Sequence, residues 1–266
     1  MSSSFFTVTP TPEGDVFVGT DFARGPWDAM ACHAGPPAGM LARASEQLIP
    51  GQRLTRLWIE LGKTVPMAGF RIIGEVTRSG RATSTTALTI VDLDGNPRVD
   101  ARGSHIIDRP VMEATLGDRF DTPILADSLP GAFPIRQTGH GRPAFMAGVQ
   151  LRYPPGEDLT PGPTTVWMHT VPLLAEETMS PFQRICPLAD CGNAFGRNAE
   201  ALDVSFVNTD LAVTLHRDPI GEWMGMSAMS VWQPNGIGMS SSVLFDELGS
   251  VGHAIQTLLL TPVGRR

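Results

Sequence analysis

AGPPAGMLARASEQL (34–48) stands directly before LTRLWIELGK (54–63), GFRIIGEVTR (69–78), ATSTTALTIVD (82–92) and RVDARGSHI (98–106). In the first segment Met40, Leu41, Ala44 and Leu48 recur at helical spacing, which gives one apolar face. Pro36 and Pro37 suit its first turn, where N–H groups have no intrahelical partner to lose. The other segments are rich in β-branched or alternating residues. They are bounded by turn chemistry at Pro66, Ser79-Gly80 and Asp94-Gly95-Asn96-Pro97. FFTVT (5–9) and DVFVGT (15–20) read as short strands upstream. The order predicted is short strands, one helix, then an antiparallel meander of strands.

The same order recurs further along. VQLRY (149–153) and TVWMHT (165–170) open it, and Ser180-Pro181 starts a helical stretch to about Phe195. VNTDLAVTLHR (207–217), EWMGMSAMSVW (222–232), IGMSSSVLFD (237–246) and SVGHAIQTLLL (250–260) follow. Turn positions correspond between the copies, Pro66 to Pro219 and Gly95 to Gly249. A nearly constant offset over a whole half predicts an internal repeat. The boundaries expected are a first unit at 1–108, a Pro-rich linker at 109–148 and a second unit at 149–266. The linker holds Pro110, Pro123, Pro130, Pro134 and Pro143, so little regular structure is expected there.

Composition limits the function classes. Of 266 residues, 42% are hydrophobic and 18% charged, which suits a globular protein with a substantial core. The net charge is −7 and no long Lys/Arg run occurs, so a nucleic-acid partner is not expected. Cys32, Cys186 and Cys191 form no disulfide framework and no CxxC pair, which fits reduced thiols in the cytoplasm. MSSSFFTVTP has no signal-peptide pattern, and no apolar run approaches the ~20 residues of a membrane span. His105 and His253 show no metal spacing, so neither a metal nor another cofactor is expected.

A helix wrapped by a strongly curved antiparallel sheet is the hotdog fold. Two copies in one chain would pair edge to edge as an intramolecular pseudo-dimer with a sheet of about ten strands. The class expected is therefore α+β, a tandem double hotdog. Several stretches resemble the thioesterase II family of acyl-CoA thioesterases: AGPPAGMLARA (34–44), VTRSGRATSTTALTIVDLDGNPRVDARGSH (76–105), TDLAVTLHRD (209–218) and SVLFDELGSVGHAIQTLL (242–259). The resemblance runs in order from about 15 to 260. It implies an acyl-CoA substrate, and hotdog pseudo-dimers of this kind imply further association, with a dimer of chains favoured.

Thioester hydrolysis needs a positioned water and a donor where the carbonyl oxygen gains charge. No GxSxG occurs, which argues against a serine hydrolase of the α/β type. The resemblance puts an Asp on the second unit's first long strand, a Gln on its last strand and a Ser/Thr hydroxyl between them. Asp210 and Gln256 fall on the first two positions. The hydroxyl position falls on Val231 with Ser230 beside it, and adjacent strand residues face opposite ways. Ser230 would therefore need a shift of register to serve, while Trp232 would narrow the cleft. The oxyanion donor implied is a backbone N–H at the start of the first helix, Gly35 with Ala34 beside it, because Pro36 has none.

Rival signals are weaker. Asp28 and His33 have the five-residue spacing of hotdog hydratases, without the Asn-Pro between them. The Val231 and Pro36 departures would suit a catalytically silent acyl-CoA-binding protein. Met224, Met226, Met229 and Met239 are expected as ordinary sheet core before an acyl tunnel. Arg78, Arg81, Arg102 and Arg109 could meet CoA phosphates, although solvated charge is the simpler reading of each.

Overall fold

The computed structural model describes residues 4–111, 120–135 and 141–263. In the first half, β1 (Phe6–Thr9) and β2 (Val16–Gly19) precede α1 (Gly35–Leu48). Strands β3 (Arg53–Glu60), β4 (Phe70–Arg78), β5 (Thr83–Asp92) and β6 (Pro97–Ile106) follow the helix. In the second half, β7 (Leu129–Gly131), β8 (Val149–Tyr153) and β9 (Thr164–Thr170) lead to α2 (Pro181–Ala189) and the short α3 (Gly192–Phe195). The chain closes with β10 (Val204–Asn208), β11 (Asp210–Leu215), β12 (Met224–Trp232), β13 (Ile237–Asp246) and β14 (Gly249–Pro262).

The strands form one open sheet in the order β1-β2-β4-β5-β6-β3-β11-β14-β13-β12-β9-β8-β7, and β10 pairs with the far end of β14. The repeat is visible in this order: β2-β4-β5-β6-β3 runs to the joint and β11-β14-β13-β12-β9 mirrors it beyond. The joint is the antiparallel pair β3–β11, with Leu57 opposite Val213 and Ile59 opposite Leu211. The sheet has 14 strands where about ten were expected. Two strands had no sequence counterpart of their own. β7 lies inside the expected linker, and the segment expected from Val207 takes in only the last two residues of β10 before running into β11. Linker residues 112–119 and 136–140 lie outside the described residues, as do 1–3 and 264–266.

One face of the sheet is buried and the other is open. On the inner face, Leu57, Ile59, Leu88, Ile90, Val213, Leu215, Met226 and Leu244 join one apolar cluster with Leu41 and Ile185 of the helices. Full burial of such a side chain contributes roughly 1.5–3 kcal/mol. Of the four methionines, Met224 and Met226 lie in this core, whereas Met229 and Met239 are exposed on the outer face.

The two helices run antiparallel against each other across the joint. The start of α1 meets the end of α2: a Cβ on Gly35 would lie 2.9 Å from the Pro187 Cα and 3.4 Å from the Asp190 Cβ. The end of α1 meets the start of α2, where the Glu46 carboxylate accepts from the Ser180 hydroxyl at 2.8 Å and the Gln183 amide at 2.7 Å. Ser180 also caps α2, accepting from the Gln183 N–H at 3.2 Å. Pro187 has no N–H to continue the ladder, and α2 stops two residues later. That stop puts Asp190 at the corner between α2 and α3.

Candidate active site

The corner after α2 and the loop before α1 supply the polar groups of a cleft of about 380 Å³. Its apolar wall includes Leu41, Ile59, Val99, Phe133, Phe145 and Phe206. His33 comes just before α1. Its backbone N–H bonds to the Ala23 carbonyl at 2.8 Å. Its ring stacks on Phe145, with centroids 4.0 Å apart and an interplanar angle of 10°. Nδ1 of His33 lies 3.1 Å from Oδ2 of Asp190 and 3.2 Å from the Gly35 N. Asp190 is buried, and its other oxygen accepts from the Asn208 amide at 2.8 Å.

Gln256 holds this corner from beneath. Its Nε2 donates to the Asp190 carbonyl at 2.9 Å, and its Oε1 accepts from the Asn193 N–H at 2.9 Å. The side chain is buried and both ends of its amide are engaged. In the strand register Gln256 is opposite Ser240, which is opposite Ser230. These three residues thus form a buried row on the inner face. The Ser230 and Ser240 hydroxyls find no hydrogen-bond partner among the described residues.

The expected site residues separate into two groups. Ser230 needs no shift of register. It points inward and is buried, while Val231 is the outward residue, 47% exposed. Trp232 packs on Phe206 at 5.3 Å and supports the cleft wall from behind. Asp210 and Gln256 are not brought together. Asp210 points to the outer face, where its carboxylate accepts from the Thr257 N–H at 2.6 Å and lies 3.3 Å from the Thr257 hydroxyl. Gln256 is the preceding residue on that strand and points the other way. At the helix start, Ala34 lines the cleft. The Gly35 N–H is turned to the His33 ring, and Pro36 and Pro37 have no N–H, so Ala34 is the remaining donor of that turn.

The groups missed by sequence reasoning are Asp190, Asn193 and Asn208, together with the pairing of His33. Asp28 is exposed and caps its own loop, accepting from the Met30 N–H at 2.8 Å. The carboxylate that meets His33 comes from the other half of the chain. An acid closing the helical stretch SPFQRICPLAD was the available signal, since an antiparallel helix pair brings that end to the start of α1.

Electrostatics sharpen the picture. Burial lowers the pKa of His33 below its ordinary 6.5, with the Asp190 charge opposing the shift. Burial pushes the Cys32 thiol in the same cleft up to about 12, so it is not a thiolate nucleophile. Lys63 lines the cleft and is exposed, whereas Arg78, Arg81, Arg102 and Arg109 are not part of its lining.

Fold and cleft together define a double hotdog protein with a polar pair at the crossing of its helices. The chain belongs to the acyl-CoA thioesterase family: residues 23–115 match the N-terminal domain of that family and residues 125–260 its C-terminal domain. No curated protein matches the sequence with significance. Among solved structures, it is similar to a conserved protein of unknown function with hot dog fold from Alicyclobacillus acidocaldarius, at 14% identity and TM-score 0.73 over 96% of each chain. It is also similar to the acyl-CoA thioesterase II TesB2 of Mycobacterium marinum, at 14% identity and TM-score 0.66 over 96% of each chain. At such identities the likeness is one of fold. Among the described residues, no helix is long and apolar enough to cross a membrane.

Proposed function

We propose that the chain hydrolyses acyl-CoA thioesters in the cleft at the α1–α2 crossing. The observation that carries this is the buried Asp190 carboxylate, held between His33 and Asn208 in the wall of an apolar cleft. The acyl chain lies along Leu41, Ile59 and Val99, and the exposed Lys63 at the cleft meets CoA phosphate. Water attacks beside the Asp190–His33 pair, and the N–H of Ala34 stabilises the oxygen that gains charge. Gln256 acts through Asp190 and Asn193 as a positioning residue, with Ser230 in the row beneath. Asp210, on the outer face, has no part in the site. The units 1–108 and 149–266 joined by 109–148, and a dimer of chains in solution, belong to the same proposal.

The test is CoA release, followed with a thiol reagent against an enzyme-only blank, over saturated acyl-CoAs from short to long. Asp190→Asn is expected to lose at least ~100-fold in rate, the scale of a lost acid–base group. Asp210→Asn is expected to keep the wild-type rate within about twofold, as surface changes of ~0.5 kcal/mol or less allow. A wild type that releases no CoA from any of them sinks the proposal. A second activity, addition of water to an enoyl-CoA, is favoured by one observation, the His33–Asp190 pair itself, and is read by loss of enoyl absorbance with crotonyl-CoA.

A further inference from the structure

We infer that the outer sheet face of the second half is where two copies of this chain meet, sheet against sheet. The inference rests on the dimer proposed above and goes further by assigning its contact surface. The face is built from strands in register. Met229 is opposite Ser241, Ser241 opposite Ile255, Ile255 opposite Ala212, and Ala212 opposite Trp58 across the joint. In the next row Val231 is opposite Met239, and Met239 opposite Thr257. In the third, Ile237 is opposite Leu259, which is opposite Val207 of β10. Directly opposed side chains on one face lie about 4.5–5.5 Å apart, so the rows join into one surface. None of these residues is charged. Arg102, opposite Trp58, and Asp210, bonded to the Thr257 N–H, stand at its border.

Apart from the half-buried Trp58, the large apolar side chains of the three rows are each between 46% and 58% exposed. The helices and the core lie against the opposite face, so nothing within the chain covers them. Single exposed apolar residues are ordinary on a protein surface, whereas a contiguous patch marks a contact. The first half gives the contrast. The same outer face of its strands carries Arg56, Glu60, Glu75, Asp100 and Arg102, all exposed. A curved sheet around a helix therefore does not itself require an apolar back.

The size of the patch fits a second copy. It presents roughly 600 Å² of surface, and a two-fold axis laying it on itself buries roughly 1,200 Å² in total, where stable interfaces begin. A two-fold contact needs one self-complementary surface, and an uncharged patch brings no like charges together. Val207 also lines the cleft, so the contact reaches the cleft's rim.

The test is sedimentation of the wild type, Val231→Lys and Met239→Lys over a concentration series, with Ile73→Lys, an exposed residue of β4, as the control. The wild type is expected at twice the mass of the chain. Each patch variant is expected to weaken the dimer by at least ~100-fold, because symmetry buries the new charge twice. Ile73→Lys is expected to leave it unchanged. A second readout needs no variant. During peroxide treatment of the wild-type dimer, Met229 and Met239 are expected to oxidise at least ~10-fold more slowly than Met30, which is 63% exposed outside the patch. Patch variants that stay dimeric, a dimer lost equally in Ile73→Lys, or Met229 and Met239 oxidised as fast as Met30 overturn the assigned face while a dimer stands. A wild type that stays a monomer, whether or not it floats with phosphatidylcholine vesicles, overturns face and dimer together. CoA release plays no part in either readout, so a failure of hydrolysis is seen separately.

Discussion

Replacing Gln256 with Leu separates two roles that the sequence alone cannot tell apart, a holder of water and a clamp on the backbone. Leu has nearly the same bulk, so no large cavity opens, but both bonds of the amide are lost. The Asp190 carbonyl and the Asn193 N–H, each bonded to Gln256 at 2.9 Å, are then left without partners in a buried corner. An orphaned buried polar group costs about 1–3 kcal/mol, so roughly 2–6 kcal/mol of stability is expected to go. At about 2–4 °C per kcal/mol for a chain of this size, Tm falls by roughly 5–20 °C. Calorimetry and urea unfolding measure this directly. CoA release falls as well, because the freed corner carries Asp190. Loss of CoA release with an unchanged Tm and urea midpoint would refute the clamp and return Gln256 to direct action on water.

Gly35→Ala forces a Cβ to within 2.9 Å of the Pro187 Cα and 3.0 Å of its carbonyl oxygen, both backbone atoms that cannot swing away. The expected loss is about 1–3 kcal/mol, with slower CoA release, because α1 must back away from the helix that carries Asp190. Gly39→Ala is the control in the same urea series, since it meets the movable Leu173 side chain first and is expected to lose less. The pH dependence of stability has a defined sign. Burial lowers the pKa of both His33 and His105 from 6.5, so below that value the unfolded chain takes up protons that the folded chain refuses. Unfolding free energy, measured by urea titration, is expected to fall as pH drops through 6.5 towards the folded values. A stability that rises as pH drops through that range would refute the assignment.

The helix and the strand meander were legible because their signals are local. Met40, Leu41 and Leu48 mark the buried stripe of α1, and the turns at Gly95 and Gly249 need the positive φ those residues adopt, 84° and 131°. The joint was legible only as a consequence of the repeat. β7 was hidden because LPG carries no strand pattern and pairs only with the edge of β8. The division of VNTDLAVTLHR into β10 and β11 was hidden because both pair with the same partner, β14, at different points along it.

That division also bears on the site. Side chains on a strand alternate, so an assignment off by one residue moves a carboxylate through the sheet. Asp210 and Thr257 share the outer face, while Gln256 and Ser230 share the inner one; the apolar alternation Leu211, Val213, Leu215 carries that parity for Asp210. The crossing of the helices adds a second constraint. Antiparallel α1 and α2 meet at both ends, and the repeat makes the two meetings formally alike. They differ in side chains. At one, Glu46 is enclosed by the neutral donors Ser180 and Gln183, and burial raises its pKa. At the other, Asp190 faces an imidazole that can carry a proton, at the wall of the cleft. One crossing is thus a satisfied hydrogen-bond cluster, and the other has both an acceptor for a proton and room for a substrate.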